Sequence, residues 1–161
     1  MKMAGLYIHI PFCKSRCIYC GFYSTTGLEL RQRYVEAVCK EISMVCKDTP
    51  IKTIYLGGGT PSQLTIPQLH QIINAAYIYN KVETDAEITI ECNPDDVTKD
   101  FVEGLRQLPI NRVSMGAQTF CDKSKDVTSV YLPDITSFVA DGRWKEEGNK
   151  FSQWYAELVT P

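Results

Sequence analysis

Four short runs of alternating side chains constrain this 161-residue chain more than anything else in it. Leu6, Ile8 and Ile10 share one side of a strand over about Gly5–Ile10, while Tyr7 and His9 share the other. In Lys52–Leu56, Ile54 and Leu56 oppose Thr53 and Tyr55, and Gly57 continues the polar side. Glu87–Glu91 sets Ile88 and Ile90 against Glu87, Thr89 and Glu91. Asn111–Gly116 sets Val113 and Met115 against Arg112, Ser114 and Gly116, and Gln118 continues the polar side. Successive side chains of a strand point to opposite faces, so each run has one aliphatic and one polar face. A flat parallel sheet covered by helices on both sides would read apolar throughout. The alternation therefore predicts a curved sheet with a polar concave face, part of a β/α barrel around a wet cavity.

Helical patterns separate the strands, the signature of βαβ units and a parallel sheet. One helix is expected over about Leu28–Cys46, and a second is capped by Thr65, carries Pro67 in its first turn and runs to about Asn80. A third opens at Thr98 and runs to about Gln107. With 44% hydrophobic residues the chain can bury one core. A net charge of −2 argues against a nucleic-acid partner. No apolar run approaches the ~20 residues of a membrane span, and His9 and Pro11 interrupt the N-terminal apolar stretch before it resembles a secretory signal. The expected compartment is the cytoplasm, where the seven cysteines read as metal ligands or buried thiols rather than disulfides.

In barrels of this kind the chemistry sits at the C-terminal ends of the strands, and there the notable motifs fall. Cys13, Cys17 and Cys20 follow the first strand with the spacing C-x3-C-x2-C. A closed zinc site takes four ligands and an ordinary cubane cluster four cysteines. Three thiolates would leave one iron of a [4Fe–4S] cluster open to a substrate or cofactor. The competing interpretation is a non-catalytic scaffold in which a fourth thiol completes a zinc site or a plain cluster. Gly57-Gly58-Gly59-Thr60-Pro61 follows the second strand. Its missing Cβ atoms let backbone approach a ligand closely, and its amides and carbonyls could hold a carboxylate and an ammonium group. No Gly-Lys-Ser/Thr follows, which excludes a phosphate-cradling P-loop; a plain strand-to-helix turn would use the same glycines. Cys39 and Cys46, seven apart on one helix face, and Cys92, on the aliphatic side of its strand, read as packing thiols. His9 reads as a hydrogen-bonded structural residue and His70 as solvated. Arg112 is placed either to pair with Glu87 or Glu91 or to meet a ligand.

Five segments together resemble the radical S-adenosylmethionine (SAM) superfamily. They are Tyr7-Ile8-His9-Ile10-Pro11-Phe12-Cys13, the C-x3-C-x-Tyr-Cys loop, Gly57-Gly58-Gly59-Thr60-Pro61, Ile90-Glu91-Cys92-Asn93-Pro94, and Arg112 to Phe120. More narrowly they resemble the oxygen-independent coproporphyrinogen III oxidase family and its heme-chaperone branch. The resemblance covers about residues 4–120. It implies an α/β fold with part of the radical-SAM (β/α) barrel, about four of six parallel strands with outer helices. Residues 1–120 would then be the N-terminal part of the core domain. It implies that Cys13, Cys17 and Cys20 bind three irons and that SAM chelates the fourth through its amino and carboxylate groups. One electron would then cleave the C5′–S bond to a 5′-deoxyadenosyl radical. By the same resemblance Tyr7, Gly58, Gly59, Thr60 and Glu91 line the SAM site. Tyr19 would lay its ring against adenine or a second SAM, and Gln118 would contact that second molecule. The oxidases carry a further cysteine two residues past the third ligand, where this chain has Phe22, as in the heme-chaperone branch. Implied partners are an electron donor, heme or a porphyrin, and a heme-acceptor protein; the alternative activity is that of a coproporphyrinogen III oxidase.

After Phe120 the resemblance stops, and residues 121–161 read as a divergent tail with a strand at Val127–Leu132 and a short helix at Phe151–Leu158. The expectation is a truncated or frameshifted product, or a fusion with an unrelated tail. Neither the family's last strands nor the His-Asn…Tyr-Trp heme-associated segment has a counterpart. The fourth strand would keep an exposed edge unless the tail covers it. Cluster binding is expected to survive this, whereas SAM cleavage and heme transfer need a closed, dry cavity.

Overall fold

The alternating runs pair into one sheet with the order β1-β2-β3-β4-β5. The structure, a computed structural model, describes residues 3–16, 20–45, 49–117 and 130–132. The strands are β1 (Ala4–Ile10), β2 (Ile51–Gly58), β3 (Val82–Cys92), β4 (Arg112–Ala117) and β5 (Val130–Leu132). The helices are α1 (Arg31–Met44), α2 (Ile66–Tyr79) and α3 (Lys99–Leu105). β1 to β4 are mutually parallel, and β5 runs antiparallel to β4. Among the described residues the sheet stays open, and β5 covers the edge of β4 over Met115–Ala117.

The aliphatic face is the core. Ile8, Ile10, Ile54, Leu56, Ile88 and Ile90 are all buried on it, each contributing ~1.5–3 kcal/mol by leaving water. Val35, Val38 and Ile42 of α1 and Leu69, Ile72, Ile73 and Ala76 of α2 join the same core. Their spacing of three and four is the stripe a helix needs to lie on a sheet. Thr65 and Gln68 form the capping box that starts α2, with Thr65 N–H donating to Gln68 Oε1 at 3.0 Å. Thr98 Oγ1 accepts from Phe101 N at 3.2 Å and starts α3. Asn111 starts β4 through its side chain: Oδ1 accepts from Ile88 N at 2.8 Å and Nδ2 donates to the Ala86 carbonyl at 2.9 Å.

Three expectations are adjusted. The first helical segment opens as a 3-10 turn over Leu28–Leu30 before α1 begins. The third strand starts five residues earlier than its alternation suggests: Val82 pairs with Ile51, a register shift follows before Thr53 pairs with Glu87, and Glu83, Thr84 and Asp85 between them carry no apolar side chain. Thr89 and Ser114, on the polar face by alternation, are only 1% and 2% exposed, so that face is not open to water at every position. Among the described residues no helix is long and apolar enough to cross a membrane. The expected helix at Phe151–Leu158 lies outside the described residues.

Candidate cluster and cofactor site

The parallel register brings the polar side chains into rows across the sheet. Tyr7 lies opposite Tyr55, Tyr55 opposite Thr89, and Thr89 opposite Arg112. One row further on, His9 lies opposite Gly57 and Glu91 opposite Ser114. Tyr7 and Tyr55 stack with ring centroids 6.1 Å apart and planes 22° from parallel. Tyr7 and His9 are joined through the phenol oxygen and Nδ1 at 3.2 Å, and His9 Nε2 donates to the Tyr23 carbonyl at 2.9 Å. That last contact ties the strand to the far side of the cysteine loop, so His9 has the structural role expected of it.

Glu91 is held by two donors on this face. Its Oε1 accepts from the Tyr55 hydroxyl at 2.6 Å and its Oε2 from the Gly58 N–H at 3.0 Å. The carboxylate is thus fixed against the glycine turn. Partial burial, and then the negative charge of Glu91, push the Tyr7 phenol above its ordinary value. Arg112 Nη1 donates to Glu87 Oε1 at 2.8 Å, so it pairs with Glu87.

The cysteine loop is closed at its base. Cys13 N–H donates to the Thr25 carbonyl at 2.9 Å, and Thr25 N–H donates to the Pro11 carbonyl at 2.7 Å. Phe12, 1% exposed, packs edge-on against Tyr34 at 5.4 Å, and the Tyr34 hydroxyl donates to the His9 carbonyl at 2.5 Å. Cys13 and Cys20 are both half-buried free thiols. Cys17 and Tyr19 of this loop lie outside the described residues, as does Gln118.

The glycine turn is built against that loop. Gly58 has φ +118°, a left-handed conformation that favours glycine, and a Cβ there would meet the His9 ring at 2.5 Å. Gly59 N–H donates to the Ile10 carbonyl at 2.8 Å. A Cβ on Gly59 would meet the Pro11 carbonyl carbon at 2.8 Å and Cys13 Sγ at 3.0 Å. Thr60 Oγ1 donates to Cys13 Sγ at 3.5 Å. Gly58, Gly59, Thr60, Glu91, Tyr7 and Cys13 thus lie close together, linked through His9, the glycine turn and the first thiol. The residues fit a thiolate-bound cluster beside a ligand that touches backbone.

This arrangement belongs to a known group of proteins: residues 7–136 match the Radical SAM superfamily. The chain belongs to that superfamily. It is 43% identical over 124 residues to the heme chaperone HemW of Synechocystis sp., covering 72% of this chain and 30% of the relative. It is 35% identical over 140 residues to the oxygen-independent coproporphyrinogen III oxidase of the same organism, covering 83% of this chain and 30% of that protein. The solved coproporphyrinogen III oxidase HemN of Escherichia coli, a radical SAM enzyme, superposes with a TM-score of 0.66 at 26% identity, over 91% of this chain and 35% of that one. The chain spans about a third of the length of such radical SAM relatives, 30% for both Synechocystis proteins.

Several residues around the glycine turn carry no sequence signal. Tyr55, the donor to Glu91, was legible only as a polar-face residue. Lys14, Ser62, Gln63 and Asp96 form a second polar cluster behind the glycine turn, and no motif marks it. Cys92 is buried, and that burial pushes its thiol far up; Cys39 is half-buried and also raised, by burial first and Glu36 second. Both are packing thiols, while Cys46 lies outside the described residues.

Proposed function

We propose that Cys13, Cys17 and Cys20 hold a [4Fe–4S] cluster and that the adjoining turn and strand ends bind SAM. The observation that carries this is the contact of the glycine turn with the first thiol: Thr60 donates to Cys13 Sγ at 3.5 Å, and Gly59 leaves no room for a Cβ beside it. When bound, such a cluster supplies the electron for reductive cleavage of SAM. The Thr60 hydroxyl withdraws charge from the Cys13 thiolate, a hydrogen bond of the kind that tunes a cluster's potential. The backbone of Gly58, Gly59 and Thr60 receives the amino-acid portion of SAM. Glu91, held by Tyr55 and the Gly58 N–H, presents an oriented negative charge to the ammonium or the ribose hydroxyls. Tyr7 lines the same side, and Tyr19 and Gln118 complete the site as the family pattern implies.

In the cell we assign the chain to heme or porphyrin handling of the heme-chaperone type, in the cytoplasm, with an electron donor and a heme-acceptor protein as partners. Residues 1–120 act as the N-terminal part of the core domain and 121–161 as a divergent tail. Similarity to the HemW chaperone supports this branch, as does Phe22 where the oxidase pattern has a cysteine. The second reading, a coproporphyrinogen III oxidase, draws on the likeness to the Synechocystis oxidase and to HemN.

Anaerobic reconstitution with ferrous iron and sulfide tests the site. About four irons per chain with a broad absorption shoulder near ~400 nm are expected, and Cys17→Ala abolishes both. A colourless protein holding one zinc per chain would contradict the proposal. Consumption of coproporphyrinogen III by the reduced, SAM-supplied protein would favour the oxidase reading over the chaperone one.

A further inference from the structure

Behind the glycine turn three segments meet on one carboxylate. Asp96, in the 3-10 turn Pro94–Asp96 that follows β3, has a side chain only 6% exposed. Its Oδ1 accepts from Lys14 Nζ at 2.5 Å, and its Oδ2 accepts from Ser62 Oγ at 2.8 Å and from Gln63 Nε2. Ser62 Oγ in turn accepts from Asn93 N–H at 3.0 Å, and the Gln63 carbonyl accepts from Arg31 Nη1 at 2.5 Å. Lys14 lies between Cys13 and Cys17, and Ser62 and Gln63 directly follow the glycine turn. A carboxylate this buried costs free energy unless it is paired and hydrogen-bonded. Two neutral donors satisfy one oxygen, and Lys14 supplies the opposite charge at the other. The Lys14 side chain as a whole remains 58% exposed, so it is not packed into the core, and the carboxylate is what it meets.

We propose that Asp96 is a positioning residue for the cysteine loop, holding it against the glycine turn through Lys14 on one side and Ser62 and Gln63 on the other. The latch fixes where the first thiol stands relative to Thr60 and Gly59, and so slows opening of the loop and loss of iron. The iron part of this inference rests on the cysteines being cluster ligands; the latch itself does not.

The test compares wild type, Lys14→Met, Lys14→Arg, Asp96→Asn and the Lys14→Met/Asp96→Asn double variant. In the reconstituted chain, Lys14→Met and Asp96→Asn release iron to a chelator about fivefold faster, equivalent to ~1 kcal/mol on the opening step. Lys14→Arg restores the wild-type rate, and the double variant is no faster than Asp96→Asn alone. In the iron-free chain the same two single variants are cut by trypsin after Arg16 about fivefold faster, by the same arithmetic. Unchanged iron release and unchanged cleavage in Lys14→Met overturn the latch, and that exposed substitution decides the matter even if Asp96→Asn fails to fold. If no form takes up iron while cleavage still responds, the latch stands and the cluster assignment falls.

Discussion

Substituting Gly59 with alanine probes the junction between turn and loop most sharply. Among the described glycines only Gly58 has a positive φ, so Gly59→Ala brings no left-handed strain and its effect is purely one of space. The new Cβ would stand 2.8 Å from the Pro11 carbonyl carbon, 2.9 Å from its oxygen and 3.0 Å from Cys13 Sγ. Two of these are backbone atoms, and Gly59 N–H is bonded to the Ile10 carbonyl at 2.8 Å, so neither side can yield by rotating a side chain. Overpacking of this kind costs ~1–3 kcal/mol. The smaller conformational freedom of alanine in the unfolded chain offsets ~0.4–1 kcal/mol of that. The two together leave a net loss of up to ~2.6 kcal/mol, centred near ~1.3 kcal/mol, which at that centre lowers the Tm of a chain this size by ~3–5 °C. Gly21→Ala is the matched control: no heavy atom lies within 4 Å of its added Cβ among the described residues, and its Tm should equal or slightly exceed that of wild type. Circular-dichroism melts of the iron-free chains give the stability, and iron content after reconstitution reports the displaced thiol. A Gly59→Ala chain as stable as wild type and fully loaded with iron would refute the packing described here.

Other consequences follow from the same contacts. Glu91→Gln removes the charge aimed at the cofactor and one of the two acceptor positions for Tyr55 and Gly58. SAM affinity by calorimetry should fall at least about tenfold, the scale of a hydrogen bond to a charged group; unchanged affinity would remove Glu91 from the site. Tyr55→Phe removes the hydroxyl that donates to Glu91 at 2.6 Å and should cost ~0.5–1.5 kcal/mol in urea unfolding. Iodoacetamide should label Cys13 and Cys20 in the native iron-free chain well before Cys92, whose burial keeps it a neutral thiol. The same burial sets a pH dependence. The folded chain keeps the Cys92 proton above the thiol's ordinary value of 9.0, where the unfolded chain loses it. The Cys92 contribution to stability is therefore flat below that pH and falls above it. Tyr7, Tyr34 and Lys14, all raised in the fold, add to the fall above about pH 10. Urea midpoints that rise between pH ~8 and ~10 would contradict this sign.

The sheet was legible because alternation of period two writes a half-buried strand directly into the sequence: Ile8, Ile54 and Ile88 lie in the core as their positions require. The start of β3 was not legible, since Glu83, Thr84 and Asp85 lie at a register shift and bury no apolar side chain. The glycine turn and Glu91 were legible by type and by their place at strand ends. Which atom Glu91 meets was not, because that depends on the register that sets Tyr55 and Gly58 beside it. Asp96 shows the limit most plainly. Asp95 and Asp96 are adjacent and chemically equal, yet the geometry of one 3-10 turn leaves Asp95 exposed and turns Asp96 inward onto Lys14, Ser62 and Gln63. A single chain gives no sign of such a choice before the backbone is known.

Electron paramagnetic resonance of the reconstituted, reduced chain with and without SAM distinguishes a cluster with one open iron from any fully ligated metal site. Three thiolates leave one iron open, so a reduced [4Fe–4S] signal is expected whose shape changes when SAM is added and which is absent in Cys13→Ala. A cluster signal indifferent to SAM, or a chain that binds only zinc, would contradict it.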